Sequence, residues 1–477
     1  MSDLAPWRVH AMAAAMGAER TGPVPDVVTG LSIDSRTIKA GEAFFAIKGD
    51  ARDGHEFVAP ALQAGAGLAV VAGSERDRMP ADAPLLVVSD ALAGLTDLAE
   101  ASRARSEAKI IAVTGSVGKT GTKEALRLAL SKCGATHASV ASYNNHWGVP
   151  LSVARMAETT QYAVFEIGMN HAGEITPLTR LVRPHVAIVT TIEPVHLEYF
   201  GSLEAIADAK AEIFLGLHPG GAAVLNRDNG QYGRLKRAAE AAGARIVSFG
   251  EHEEADARLL KVSLQTESSA VQARILGVEL SYKLGAPGRH VVMNSLAVLA
   301  AASLVGADLA LAAVALAGLQ PPAGRGERIT LDVPGGGRAL LIDESYNANP
   351  ASMRAALALL GQAPVGPRGR RIAVLGDMLE LGSASAELHR GLAEAVLAHD
   401  IDLVFCAGPM MKALWDAIPS ERRGSYAETA AALEPQVIGA VAAGDAAMVK
   451  GSLGSKMGPI VKALVRRYGR APQPASA

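Results

Sequence analysis

The chain has 477 residues, enough for about three domains, and its 49% hydrophobic and 20% charged side chains are the balance of a folded globular protein, which excludes a disordered one. Its 46 basic and 48 acidic residues leave a net charge of -2, which gives no electrostatic reason to expect nucleic acid or an anionic membrane as a partner. The two cysteines, Cys133 and Cys406, stand far apart and in no CxxC pair, so they are read as reduced thiols in a reducing compartment, without a metal or redox motif.

The N-terminal Ala/Met stretch is broken by Glu19 and Arg20 and is too weak for a signal peptide. Up to Lys109, short apolar runs alternate with turns. Ala43 to Ile47 and Leu85 to Ser89 read as strands, Gly49 to His55 as a polar loop and Ala59 to Ala64 as a helix. From Lys109 the rhythm changes to longer β-then-α units. Ile110 to Thr114, Ala163 to Ile167 and Val186 to Ile192 read as buried strands, with a helix from Lys119 to Lys132, and such alternation implies a mainly parallel sheet covered on both faces. Lys261 to Leu284 alternates polar and apolar residues, as antiparallel strands do. Val291 to Leu319 tempts as a membrane span, but Asn294, Gly306 and Asp308 make a pair of buried helices with a turn the better reading. Gln320 to Gly324 reads as a linker. Beyond it, Ala339 to Asp343, Arg371 to Leu375, Leu403 to Ala407 and Ala447 to Lys450 read as strands of a second, Rossmann-like α/β unit. The expected fold is therefore α/β in three domains, at 1–105, 106–320 and 321–477.

The strongest local signal is Thr114-Gly115-Ser116-Val117-Gly118-Lys119-Thr120, between a buried strand and a helix. Two glycines let backbone N–H groups turn toward an anion, the helix N-terminus adds its dipole, Lys119 reaches the outer phosphates and the Thr120 hydroxyl can hold Mg²⁺. The general phosphate-loop pattern asks for glycine where Val113 stands, so the match is to a shorter variant; the bland alternative is a Gly-rich turn. Glu166 ends a buried strand, where open α/β sheets bind ligands, and is placed to coordinate a metal. His196 follows the next strand and is a candidate second-metal ligand. Lys210, on the helix after it, is either a solvated lysine or a buried functional one, and spacing does not separate the two.

With these residues in place, the whole chain resembles the Mur ligase family, and within it the members that add D-alanyl-D-alanine. The loop at Thr114–Thr120 is similar to the family's ATP loop. Tyr143 to Leu151, with Asn144 and Asn145, resembles the stretch facing the UDP-sugar peptide, and Glu166 to Ile175 resembles the metal-binding segment. His196-Leu197-Glu198 and Lys210 resemble the second-metal histidine and the lysine that family members carbamylate. Arg289, His290 and Asn294 match the adenine-contacting helix entry. Asp343, Tyr346, Asn347 and Asn349 lie in a stretch that resembles the family's segment closing over ATP, and Arg325 in a turn that resembles one the family uses near the γ-phosphate. Asp34-Ser35-Arg36 and Asp53-Gly54-His55 match the UDP-binding first domain. Gly376 to Gly382 resembles a third-domain loop of the dipeptide-adding members.

Two departures stand out. Leu453 takes a position where relatives show Arg, and the chain lacks the Asp-Asn-Pro-Arg segment of diaminopimelate-adding relatives. The resemblance implies a cytoplasmic, monomeric, ATP- and Mg²⁺-dependent ligase of cell-wall precursor synthesis, with UDP-N-acetylmuramoyl-tripeptide and D-alanyl-D-alanine as substrates and no nucleic-acid or membrane partner. It implies catalytic roles for Lys119, His196, Lys210 and Arg325. The third domain is expected to bind the acceptor, and because three sites on three domains must meet, it is expected to rotate closed with the linker near Pro321-Pro322 as hinge. Two rivals are a folylpolyglutamate synthetase, which needs no UDP-binding first domain, and a nucleotide switch acting on a protein partner, which leaves the third domain without a task.

Overall fold

The computed structural model describes residues 6–49, 52–140, 142–195, 197–322, 324–334 and 337–469. Among the described residues a two-stranded antiparallel pair, Trp7–Arg8 with Val27–Val28, accompanies three larger sheets that follow one another along the chain. The first has five strands; Leu31–Ser32, Ala43–Phe45, Leu68–Ala72 and Leu85–Val88 run parallel, and Glu19–Thr21 pairs antiparallel with the last of them. The third has six, in which Gly337–Glu344, Ala446–Lys450, Arg371–Gly376, Leu403–Ala407 and Arg423–Ala427 are parallel neighbours in that order. Glu327–Val333 adds an antiparallel edge to it.

The central sheet has nine strands and changes character across its width. Lys109–Thr114 lies between Tyr162–Glu166 and Val186–Val189, all parallel, and from Ile110 onward it is buried on both faces. A strand covered on both sides by helices has no solvent face, which is why Ile110-Ile111-Ala112-Val113 reads as an unbroken apolar run. At the far edge, Ser269–Ile275 alternates buried and exposed residues and pairs antiparallel with Ala257–Leu264 and Val278–Leu284. One face of that meander meets water, and the period-two pattern records it.

Between Val291 and Leu319 the two expected helices are Arg289–Leu304 and Leu309–Ala315. Gly306 turns the chain at φ 78, and Asp308 caps the second helix by accepting the Leu311 N–H at 2.9 Å. No helix among the described residues is long and apolar enough to cross a membrane. Other expectations shift by a few residues at their ends. Glu327–Val333 and Arg423–Ala427 were not anticipated: both flank the third sheet, and both mix polar residues into the strand, which blunts the apolar signal.

At the base of the central sheet, the Ile110 N–H donates to His185 Nδ1 at 3.0 Å, and the ring stacks on His218 at 4.9 Å. Burial, with the Lys109 and His218 charges adding to it, lowers the His185 pKa to about 4. Between about 4 and the ordinary value of 6.5 the unfolded chain binds the proton that the folded chain refuses. Stability therefore falls as pH drops through this window. In His185→Asn, whose Oδ1 replaces Nδ1 as acceptor, the fall in Tm between pH 6.5 and 4 is expected to be shallower than in the parent, as read by calorimetry.

Candidate active site

The phosphate loop leaves Lys109–Thr114 and enters the helix Lys119–Leu130. Its bend needs glycine twice. Gly115 (φ 145) would place a Cβ 2.0 Å from Thr190 Oγ1, and Gly118 (φ 88) would place one 2.6 Å from Asn294 Nδ2. The loop is braced from the neighbouring strand end. Ser116 N donates to Thr191 O (2.8 Å), Ser116 Oγ to Glu193 O (3.0 Å) and Thr190 Oγ1 to Val117 O (2.5 Å). The Lys119 ammonium donates back to Gly115 O at 2.7 Å. Burial pushes its pKa down, the Glu166 carboxylate opposes that, and the Arg325 guanidinium reinforces it.

Glu166 ends the strand Tyr162–Glu166 and is 1% exposed. One carboxylate oxygen accepts from Thr120 Oγ1 at 2.8 Å and the other from Asn144 Nδ2 at 2.7 Å. Asn144 is itself placed by its carbonyl, which accepts the Gly168 N–H at 2.8 Å. Any larger residue at 168 would press a Cβ to 2.9 Å from the Asn144 side chain. Among the described residues no lysine or arginine forms an ion pair with Glu166. A buried carboxylate with two neutral donors and no paired cation, beside a hydroxyl, is the oxygen-rich setting that a hard divalent ion fits. No group of three or more His, Cys, Asp and Glu side chains among the described residues makes a protein-only metal cage.

Lys210 closes the helix Leu203–Ala211 and is 1% exposed, so the solvated reading is excluded. Burial first, and the Lys119 charge second, hold its pKa well below that of an ordinary lysine. It does not line the cavity described next. His196 lies outside the described residues.

A cavity of about 440 Å³ opens between the central and third sheets, and it gathers Lys119, Thr120, Glu166, Asn144, His290 and Asn294 from the central part. Arg325, Tyr346, Asn347, Asn349 and Lys450 reach it from the other side. The Arg325 guanidinium stacks 4.4 Å over the Tyr346 ring. Asp343 is not part of the lining. Its carboxylate accepts from Ser345 N (3.0 Å) and Ser345 Oγ (2.6 Å), and its carbonyl from Gly326 N (2.8 Å), so it shapes the Arg325 and Tyr346 loops. Asn349 spends its side chain capping the helix Pro350–Gly361, and Asn347 accepts from Ala348 N. Lys450 was not anticipated as a cavity residue. It is 2% exposed and pairs with Glu344 at 3.1 Å while donating to Asn347 O at 2.9 Å. Its signal in the sequence was a lysine at the end of an apolar parallel strand. Lys450→Met leaves the largely buried Glu344 unpaired, and a loss of about 3 kcal/mol in unfolding free energy is expected by urea titration.

The residues matched to the first domain stand apart from this cavity. Asp34 accepts from Arg36 Nε and Nη2 at 2.8 and 2.7 Å, and that pairing lowers its pKa. His55 is buried and internally satisfied, with Nδ1 on Asp53 Oδ1 at 2.6 Å and Nε2 accepting from Ala72 N at 3.0 Å. Its ring therefore holds the loop at Asp53–His55. Asn145 Oδ1 accepts from Gly148 N at 2.9 Å, opening the helix Gly148–Ala154. Ser35 is half-buried beside Asp34. In the third-domain loop at 376–382, Asp377 accepts from Met411 N at 2.8 Å, and burial raises its pKa. Across the domains, the Glu198 N–H donates to Glu380 O at 3.3 Å.

Three α/β domains, with a phosphate loop in the second facing an arginine-bearing loop of the third, define a P-loop nucleotide-binding protein. Family profiles match in sequence along the chain: "Mur ligase family, catalytic domain" at 27–103, "Mur ligase middle domain" at 113–302 and "Mur ligase, glutamate ligase domain" at 324–453. A UDP-N-acetylmuramoyl-tripeptide--D-alanyl-D-alanine ligase of Rickettsia prowazekii is 32% identical over 95% of this chain and 99% of its own length. Among solved structures, MurF from Acinetobacter baumannii superposes with a TM-score of 0.83 at 31% identity, covering 98% of this chain and 100% of that one. MurF ligase from Thermotoga maritima in complex with ADP does so with a TM-score of 0.74 at 25% identity, over 92% and 98%. The chain belongs to the Mur ligase family.

Proposed function

We propose that this chain is the ATP-dependent ligase that joins D-alanyl-D-alanine to UDP-N-acetylmuramoyl-tripeptide, in the cytoplasm where ATP is supplied. The observation that carries the reading is the single cavity in which Lys119, Thr120 and Glu166 of one domain face Arg325 of another. Full-length similarity to a ligase of that name supports the choice of substrates. We assign 1–105 to the UDP-sugar, 106–320 to ATP, and 321–477 to the acceptor and to closure near Pro321-Pro322.

In this reading a terminal carboxylate oxygen of the tripeptide attacks the γ-phosphorus of ATP, the bond to the β-bridging oxygen breaks, and ADP leaves. Lys119 and Arg325 offset the negative charge on the transferring group. Thr120 and Glu166 would hold Mg²⁺, which supplies further charge neutralisation when bound. The free amine of D-alanyl-D-alanine then attacks the acyl carbon, phosphate leaves, and the proton lost by the amine goes to phosphate or water. His171, one candidate for the base that deprotonates the amine, has its ring tilted at 59° to that of Tyr199 at 4.8 Å, pairs with Glu174 at 3.1 Å and lies outside the cavity lining, which argues against that role.

We extend the reading to Lys210. A lysine whose amine is held neutral adds CO₂ to give a carbamate and a proton, and so becomes a carboxylate on a long arm. That group, with His196, would be the second metal's ligand set.

The acyl-phosphate route is tested with tripeptide labelled by ¹⁸O in its terminal carboxylate. One label appearing in released phosphate is expected; label wholly retained in the peptide product would exclude the route.

A further inference from the structure

Lys123 lies three residues beyond Thr120 on the same helix and is fully buried. Its companions among the buried residues of that helix are Thr120, Thr122, Ala125, Leu126, Ala129 and Leu130, none of them charged. A methionine would fill such a place without the cost of taking an ammonium out of water. The ammonium is instead spent on a carbonyl: it donates to Ser139 O at 2.7 Å and pairs with Glu124 at 2.8 Å.

Ser139 is where a weak edge ends. Thr136–Ala138, only three residues long, is the outermost strand of the central sheet, and Ser139 adds one bond to it, donating to Val164 O at 3.1 Å. The chain then departs toward Ser142 and Asn144, both on the cavity wall. Asn144 donates to Glu166, and Glu166 accepts from Thr120, one helical turn before Lys123. The contacts close a ring: helix, edge strand, loop, carboxylate and helix again. Three residues of strand pairing hold such a loop poorly, and a charged donor on its first carbonyl is a far stronger tether than a neutral one.

We propose that Lys123 is a positioning residue, which fixes the loop carrying Asn144 and thereby aims Glu166 at the metal bound with the nucleotide. The proposal rests on the ligase reading only in taking Mg²⁺ and nucleotide as the ligands of this cavity.

The test is calorimetric titration of the full-length protein with ADP at a series of Mg²⁺ concentrations, which needs neither the acceptor nor turnover. In Lys123→Met, the Mg²⁺ concentration that half-restores ADP affinity is expected to rise about tenfold, while ADP binding without Mg²⁺ stays as in the parent. Lys123→Arg is expected to recover most of the shift. Acrylamide quenching of Trp147, in the same loop and 38% exposed, should increase in Lys123→Met. An unchanged Mg²⁺ dependence in a folded Lys123→Met overturns the proposal. So does an equal loss of affinity with and without Mg²⁺, the mark of a merely structural role. Should Lys123→Met not fold, Lys123→Gln, which keeps a neutral donor, must show a smaller shift of the same kind, or the proposal fails. A parent protein that does not bind Mg²⁺ and ADP together overturns the reading beneath it.

Discussion

Replacing Lys119 by methionine is expected to lower kcat by about a thousandfold or more, with the fold intact. The residue opens a helix, is held at 2.7 Å from the loop's own Gly115 carbonyl, and lines the same cavity as Glu166 and Arg325. Its charge matters most when negative charge gathers on the transferring phosphoryl group, so the loss should fall on kcat more than on KM for ATP. Methionine keeps most of the apolar stem and removes the ammonium, and with it the charge and the hydrogen bond to Gly115 O. Circular dichroism and Tm should match the parent. A variant within tenfold of parental kcat would show that the loop binds nucleotide without taking part in transfer.

Replacing Lys210 by alanine is expected to lower kcat by about a hundredfold or more, with partial return of activity on adding short carboxylates. A lysine 1% exposed and pressed by the Lys119 charge is an expensive thing to bury, and an apolar residue would pack there more cheaply. Stability and activity should therefore separate at this position. Its folded pKa is depressed, so from that value up to the ordinary 10.5 the unfolded chain binds more protons than the folded one. Stability consequently rises with pH across that window, and the burden of burying the amine is greatest on its acid side. Lys210→Met, in CO₂-free buffer, should have a higher Tm than the parent near neutral pH and a flatter dependence of Tm on pH. Loss of activity without rescue by any carboxylate, together with a lower Tm, would leave Lys210 as a packing residue and remove the carbamate from the account.

The legible parts of the fold were those whose pattern is set by burial alone. Ile110 to Val113 is apolar because both faces of the strand are covered, and Ser269–Ile275 alternates because only one is. The Gly306 turn between the two Ala-rich helices was visible because glycine and a capping aspartate sit together there. Glu327–Val333 and Arg423–Ala427 were hidden because edge strands carry polar residues toward water.

In the site, the phosphate loop was legible because glycines, lysine and threonine must sit consecutively in one bend. The partnership of Glu166 with Asn144 and Thr120 was not derivable from spacing, since it joins three elements through the tertiary fold. The same holds for Lys450 and for Lys123, which read as an ordinary strand-end lysine and an ordinary helix lysine until their burial is known. Conversely, Asp343, Asn349 and His55 were matched to ligands, and the structure gives their side chains local work in shaping a loop, capping a helix and bracing a turn.

The central claim is most directly tested by phosphate release from ATP with UDP-N-acetylmuramoyl-tripeptide and D-alanyl-D-alanine each omitted in turn, and the product weighed by mass spectrometry. Release that requires both, with a UDP-pentapeptide formed in equal amount, is the predicted result. Release indifferent to both would contradict it and leave a nucleotide-hydrolysing protein whose acceptor is something else.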